Sequence, residues 1–276
     1  MSPVLRVAFQ GERGAYSEEA TIALFPDAEV LPCAALREVF ESVASGRSAA
    51  GVVPVENSQA GSINETYDLL LSHELHITGE LDLRVRHCLL ALPGRSLADL
   101  RAVYSHPQAL AQCDVFLRDH GLAAIAAYDT AGSAKMVAEQ RMAETGAIAG
   151  RQAARIYGLE VLAESIETNP NNYTKFLTLA RTPAPRSAAS KTSIVFTTRN
   201  VPGALYRALG ALASRNINLT KLESRPRRDA PWEYVFYVDL EGHEADPEVA
   251  AALAVLHSLC TFMRVLGSYP RAPRPA

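Results

Sequence analysis

Gly51-Val52-Val53-Pro54-Val55-Glu56-Asn57-Ser58-Gln59-Ala60-Gly61-Ser62-Ile63-Asn64-Glu65 decides the fold class. Gly51-Val52-Val53 opens the stretch as a buried strand, and a polar island follows at Pro54-Val55-Glu56-Asn57-Ser58. Ser62, with Glu65 three residues on, has the form of a capping box, so a helix is predicted there with Ile63, Tyr67, Leu70 and Leu71 on its buried face. A strand that gives way to a helix through uncharged hydrogen-bonding side chains is the repeating unit of an α/β domain. The join is the edge where open sheets take ligands.

The same pattern recurs outward from this stretch. Residues 5–9 read as a strand, and Leu36, Val39, Phe40 and Val43 fall on one helix face. Val103-Tyr104 ends another strand. A second island, Ser105-His106-Pro107-Gln108, follows it, and Pro107 suits the first position of a helix predicted to run to Gly121 on a face of Leu110, Cys113 and Leu117. Strands are also predicted at 123–128, 147–149 and 176–180, with helices at 133–143 and 152–157, and a third island, Asn172-Tyr173-Thr174-Lys175-Phe176, borders the last strand. The expected architecture is a largely parallel α/β domain in two lobes around a cleft. Helix N-termini at that edge favour an anionic ligand.

Residues 182–191 are small, polar and proline-containing, the composition of a linker, which places one domain at 4–181 and a second at 192–270. The second reads strand 193–198, helix 203–214, strand 217–224, strand 233–240, helix 247–259 and strand 262–266. That is a βαββαβ, ferredoxin-like sandwich, with Leu205, Leu209 and Leu212 on one helix, Val249, Leu253 and Leu256 on the other, and Tyr234, Phe236, Val238 and Leu240 on one strand face.

Composition narrows the function. With 48% apolar residues, 27 Lys and Arg against 30 Asp and Glu and a net charge of -3, the chain is an ordinary globular protein. Its one basic run, Arg225-Pro226-Arg227-Arg228, is too short to hold nucleic acid. No apolar run approaches the roughly 18 residues of a membrane span, and Met1-Ser2-Pro3-Val4-Leu5 lacks the layout of a secretory leader. A cytoplasmic protein is expected, with Cys33, Cys88, Cys113 and Cys260 as reduced core residues. His73-Glu74-Leu75-His76 has its histidines three apart, not four, so no metal site is expected. Gly11 and Gly14 make a tight turn before a helix at Ser17 without the lysine of a phosphate loop, and its backbone N–H groups are candidates for holding a carboxylate.

Gly11-Glu12-Arg13-Gly14-Ala15-Tyr16-Ser17-Glu18-Glu19-Ala20, the first island continued to Gly61, Ser105-His106-Pro107-Gln108-Ala109 with Gln112-Cys113, and Asn172 to Phe176 together resemble prephenate dehydratases. Asn200-Val201-Pro202-Gly203-Ala204-Leu205 and Glu223-Ser224-Arg225-Pro226 resemble an ACT regulatory domain. The family usually carries Gly-Pro-x-Gly-Thr-Phe-Ser and Thr-Arg-Phe where this chain has Gly-Glu-Arg-Gly-Ala-Tyr-Ser and Thr-Lys-Phe, so Lys175 offers a point charge in place of a two-pronged guanidinium. The resemblance implies a two-lobed, periplasmic-binding-protein-like catalytic domain before the ACT domain. With no helical mutase segment ahead of Pro3, a monofunctional enzyme is expected.

The implied reaction converts prephenate to phenylpyruvate with loss of carbon dioxide and water, in phenylalanine biosynthesis. Aromatisation drives it, and the barrier lies in expelling hydroxide, so the useful group is a donor aimed at the leaving oxygen; no metal or cofactor is required. On the resemblance, Thr174 is the candidate nearest the leaving hydroxyl. Glu56, Asn57, Ser58 and Gln108 complete the catalytic set, and Ser17, Gly61, Ser105, His106, Asn172, Lys175 and Phe176 are the substrate-binding candidates. In a regular strand Thr174 and Lys175 point to opposite faces, so both line a cleft only if the strand begins later. The ACT resemblance implies L-phenylalanine as effector at Asn200, Pro202, Gly203, Ala204, Leu205, Asn218, Glu223 and Ser224, bridging chains of a homodimer or homotetramer. Two alternatives stand beside this reading: arogenate dehydratase, with the same chemistry on an amino substrate, and a non-catalytic small-molecule sensor.

Overall fold

A computed structural model describes residues 5–227 and 230–273. Residues 1–4, which carry the leader reading and the expected start of the first domain, and Arg228 of the basic run lie outside the described residues. The chain forms two compact units, one of residues 5–69 with 81–177, the other of residues 70–80 with 178–273.

Along the first stretch of chain run β1 (Arg6–Gln10), α1 (Tyr16–Leu24), β2 (Glu29–Cys33), α2 (Leu36–Ala44), β3 (Ala50–Asn57), β4 (Gly61–Ser62), α3 (Asn64–Ser72) and β5 (His76–Arg84). Then follow β6 (Cys88–Ala91), β7 (Ala102–Ser105), α4 (Pro107–Gln112), α5 (Asp114–Asp119), β8 (Ala123–Ala126), α6 (Thr130–Glu139), β9 (Thr145–Ala149), α7 (Arg151–Tyr157), β10 (Glu160–Glu164) and β11 (Tyr173–Ala180). One sheet has the order β2-β1-β3-β11-β5 with β4 on β3; the other is β10-β6-β9-β7-β8. β1 lies parallel to β2 and β3, and β7 parallel to β8 and β9, as the α/β pattern predicts. β6, however, is antiparallel to β9 and β10. It is entered across residues 85–87 directly from β5, which belongs to the other sheet.

Two local expectations are corrected. β3 runs through the first island to Asn57 and turns back into β4, pairing Glu56 with Ser62 and Asn57 with Gly61. The cause is Asn57, whose Oδ1 accepts from the N–H groups of Gln59 and Ala60, both at 3.0 Å, and so builds the turn itself. Ser62 is therefore a strand residue, and the helix begins at Asn64. The helix predicted from Pro107 to Gly121 breaks at Cys113, because the Gln112 carbonyl accepts from Thr168 N–H at 2.8 Å instead of from the next helical turn. Leu110, Cys113 and Leu117 still share one buried core.

The second unit continues with β12 (Ser190–Thr198), α8 (Ala204–Ala213), β13 (Leu219–Pro226), β14 (Tyr234–Glu241), α9 (Pro247–Leu259) and β15 (Cys260–Pro270). The sheet order is β13-β14-β12-β15, fully antiparallel, the βαββαβ arrangement expected from its apolar periods. Ile194, Phe196, Leu212, Val238, Leu240, Leu253 and Leu256 form its core. Ser190 and Lys191, assigned to the linker by composition, open β12 and are buried. Lys191 Nζ lies 2.5 Å from Glu80 Oε2 and 3.0 Å from Asp239 Oδ2. Burial opposes the lysine's charge, but the two carboxylates outweigh it and raise its pKa above 10.5. Among the described residues no helix is long and apolar enough to cross a membrane.

Candidate active site

Asn57 stands at the centre of a polar network in the first unit. Its Nδ2 donates to Asn172 Oδ1 at 2.8 Å, to Thr174 Oγ1 at 3.0 Å and to the Tyr173 carbonyl at 3.2 Å, while its Oδ1 also lies 3.4 Å from Gln108 Nε2. Asn172 Nδ2 donates to Gln112 Oε1 at 3.0 Å, and that oxygen is 2.8 Å from His87 Nε2. Tyr16 Oη closes the chain 2.9 Å from His87 Nδ1. Burial holds the His87 imidazole below its usual pKa, against the opposing pull of Gln112 and Glu167, so the ring is neutral. Because Gln112 Oε1 is an acceptor, the ring proton sits on Nε2, and Nδ1 faces Tyr16 Oη, whose one proton is within reach of both Nδ1 and the Arg86 carbonyl, each at 2.9 Å. The hydrogen-bond directions are thereby set from His87 to Thr174. Thr174 Oγ1 accepts from Asn57, and its own hydroxyl proton is left to donate.

That hydroxyl faces a cavity of about 300 Å³. Asn57 and Gly61 reach it from the β3–β4 turn, His106, Gln108 and Gln112 from α4 and its approach, Tyr16 from α1, and His87 from the passage into β6. His106 caps α4, its side chain accepting from Gln108 N–H at 3.3 Å, which fixes the start of the helix that presents Gln108. All the polar lining groups are amides, hydroxyls or imidazoles. Such a set donates to a polar substrate from many sides without offering an anion to bind a cationic one.

Of the catalytic candidates, Thr174, Asn57 and Gln108 come together at this cavity, as do Gly61 and His106 from the binding set. Glu56 does not line it; alternation along β3 turns Glu56 away from the face that carries Asn57. Ser58 instead clasps β11: its N–H donates to Tyr173 O at 2.8 Å and its Oγ accepts from Tyr173 N–H at 2.9 Å. Ser105 Oγ is spent on the Ile148 carbonyl at 2.6 Å, and Ser17 lies buried in α1 with its carbonyl accepting from Thr21. Asn172 acts from behind, between Asn57 and Gln112, and Phe176 packs with Val7, Val52 and Ala20 in the sheet core. The Gly11–Gly14 turn has no N–H to spare for a substrate at three of its positions, Gly11 N–H donating to the Cys33 carbonyl at 2.9 Å. Gly14 N–H donates to the buried Glu18 carboxylate, and Glu12 N–H to Asp129. Gly14 itself is obligatory, at φ +86° with Ala153 Cα 2.7 Å from where a Cβ would stand.

β11 begins at Tyr173, so Thr174 and Lys175 do face opposite ways, and Lys175 Nζ pairs with Asp82 at 2.7 Å. Lys175→Met is therefore expected to leave the substrate concentration for half-maximal rate unchanged; steady-state kinetics that show it raised would bring Lys175 back to the substrate. Tyr16, His87 and Gln112 were not among the candidate residues. Tyr16 and Gln112 lie inside the motifs quoted above, whereas His87 follows a strand with no motif around it and is found only through its contacts.

In the second unit, Asn200, Pro202 and Gly203 are exposed in the β12–α8 loop, and Gly203 caps α8 in the left-handed region at φ +77°. Leu205 packs against the sandwich core, and Ala204 is half-buried beside it. Asn218 precedes β13, which carries Glu223 and Ser224, but β14 separates β13 from β12. One chain thus keeps this loop and these strand residues apart.

A family model described as prephenate dehydratase matches residues 7–184, and one described as ACT domain matches residues 192–258. The arogenate dehydratase/prephenate dehydratase 2 of Arabidopsis thaliana is 48% identical over 277 residues, which cover 96% of this chain and 73% of the relative. A solved structure described as prephenate dehydratase in complex with L-Phe, from Arthrobacter aurescens, superposes with a TM-score of 0.90 at 35% identity, covering 99% of this chain and 92% of that one. Another, described as a novel type of quorum quenching acylase, has a TM-score of 0.90 at 38% identity over 97% of this chain and 98% of its own.

Proposed function

The chain belongs to the prephenate dehydratase family, hydro-lyases that here carry an ACT domain, and on that premise we propose that it converts prephenate to phenylpyruvate under feedback control by L-phenylalanine. The bond from the ring to its carboxylate breaks, its electron pair enters the ring, and the ring C–O bond breaks as the hydroxyl leaves. One proton taken up at the leaving oxygen completes the water. Thr174 is the proposed donor to that oxygen, with Asn57 holding its acceptor side and Gln108 beside them. The observation that carries this reading is the ordered bond from Asn57 to Thr174 in a cavity that holds no competing charge.

Prephenate is the proposed substrate on the family description. Arogenate carries the same two carboxylates with an ammonium in place of the keto group, and no charged side chain lines the cavity to separate the two. Purified protein mixed separately with prephenate and arogenate, followed by phenylpyruvate absorbance and by phenylalanine released, tests the choice. Faster turnover of arogenate would reverse it; no turnover of either, with acylase activity in its place, would replace the reading altogether.

For control, the exposed loop at Asn200, Pro202 and Gly203 is the proposed landing place of the effector's carboxylate, at the N-terminus of α8 beyond Ala204, whose own N–H already donates to Val201 O at 3.1 Å. Because β14 lies between β12 and β13, Glu223 and Ser224 would come from a second copy, paired along the edge strand β13 in a homodimer or homotetramer. Inhibition requires only that phenylalanine bind the less active form more tightly, by about 5- to 150-fold. Gly203→Val, whose branched side chain is strained at φ +77° and fills the approach to the backbone, is expected to abolish inhibition and keep unregulated turnover. Identical phenylalanine titrations of the two proteins would place the effector elsewhere. The proposed compartment is the cytoplasm, in keeping with four cysteines that are all unpaired.

A further inference from the structure

A second cavity, of about 310 Å³, shares with the first only the side chain of Tyr16. Its walls carry Arg84 and Arg86 from the β5–β6 passage and Arg151 from the start of α7, with Glu19 and Glu164 as its acids. Arg151 is already paired with Glu164. Arg84 is different: its Nε–H is buried with no acceptor among the described residues, the state of a donor that waits for a partner. Arg86 is exposed at the same wall, and no ion pair is recorded for it among the described residues. Burial pushes the Glu19 carboxyl up, against the pull of Arg86, which weakens the one acid left to oppose the two guanidiniums.

Three cations against two carboxylates leave a single positive charge, which suits a monoanion. The ring of Tyr16 and the side chain of Leu83 supply an apolar wall that a bare inorganic ion would not use. We infer that this cavity is a binding site for a small organic monocarboxylate, its carboxylate held by Arg84 and Arg86 and its apolar body laid against Tyr16 and Leu83. The planar guanidinium fork matches a carboxylate in two parallel hydrogen bonds, which an amide-lined cavity cannot offer. The site is distinct from the one proposed for the reaction, since Thr174, Asn57 and Gln108 line only the other cavity and Tyr16 alone reaches both.

Equilibrium dialysis of radiolabelled 3-phenylpropionate against the full chain tests this, with inorganic phosphate as competitor. The wild type is expected to bind, Arg86→Met to bind at least about 10-fold more weakly, as for one lost charge-assisted contact, and Arg86→Lys to fall between them. Arg86 is exposed, so an unchanged melting temperature without ligand is expected to show that both variants fold. Gln108→Leu, in the other cavity, should leave this binding intact, and phosphate should not displace the ligand at equal concentration. Absence of binding, equal binding by Arg86→Met, loss of binding in Gln108→Leu, or displacement by phosphate would each overturn the assignment.

Discussion

Thr174→Val is expected to lower turnover by about 10²- to 10³-fold, the cost of one donor that acts on developing charge in the transition state. Valine keeps the branched shape, so β11 is undisturbed. The structural cost is small for a specific reason: Asn57 Nδ2 keeps its bonds to Asn172 Oδ1 at 2.8 Å and Tyr173 O at 3.2 Å when the hydroxyl goes, and no buried donor is orphaned. The loss should therefore appear in kcat with an unchanged melting temperature. Turnover close to wild type would remove Thr174 from the chemistry and leave the Asn57 and Gln108 amides as the donors beside it. A parallel fall in melting temperature would recast Thr174 as a strut of the network.

Lys191→Met should destabilise the protein by about 3–5 kcal/mol, because it removes the ammonium from between two buried carboxylates. The side chains of Lys191, Glu80 and Asp239 are 5%, 3% and 15% exposed, so water cannot take the lysine's place. Ser193 Oγ donates to Asp239 at 2.5 Å and Ala272 N–H to Glu80 at 3.1 Å, neutral contacts that carry no positive charge. Urea unfolding at neutral pH measures the loss. The double variant Lys191→Met with Glu80→Gln is expected to recover part of it, since one of the two carboxylate charges is gone. In the wild type the sign with pH follows from the raised lysine pKa. The cluster's contribution is complete below 10.5, the ordinary lysine value, and is lost as pH climbs through the higher folded value. A loss under about 1 kcal/mol in Lys191→Met, the scale of a surface ion pair, would mean the cluster is open to water.

Periodicity carried the fold because it is a local property. The face of Leu36, Val39, Phe40 and Val43, the six elements of the βαββαβ unit, and α9 at Pro247–Leu259 all follow from spacings of a few residues, which side-chain direction alone converts into a buried surface. The polar islands were equally legible as places where elements end, and Asn57, Gln108 and Thr174 meet at one cavity. Where the reading went astray, a partner far along the chain had decided the matter. Ser62 reads as a helix cap until Glu56 pairs with it across a hairpin, and the helix at Pro107 reads as continuous until Thr168 takes the Gln112 carbonyl.

The sequence by itself determined which residues are apolar at which period, and hence two α/β sheets followed by an antiparallel sandwich. Only the tertiary structure decided which polar residues work together. Lys191 looks like linker filler until Glu80, 111 residues away, and Asp239 close around it. Glu56 and Lys175 lie next to Asn57 and Thr174 in sequence yet do not line the cavity, because a strand turns each successive side chain to the other face. His87, 71 residues from Tyr16, has no motif to announce it. A hydrogen bond depends on ångströms between atoms, and the chain's local pattern does not set distances between segments that meet only when it is folded.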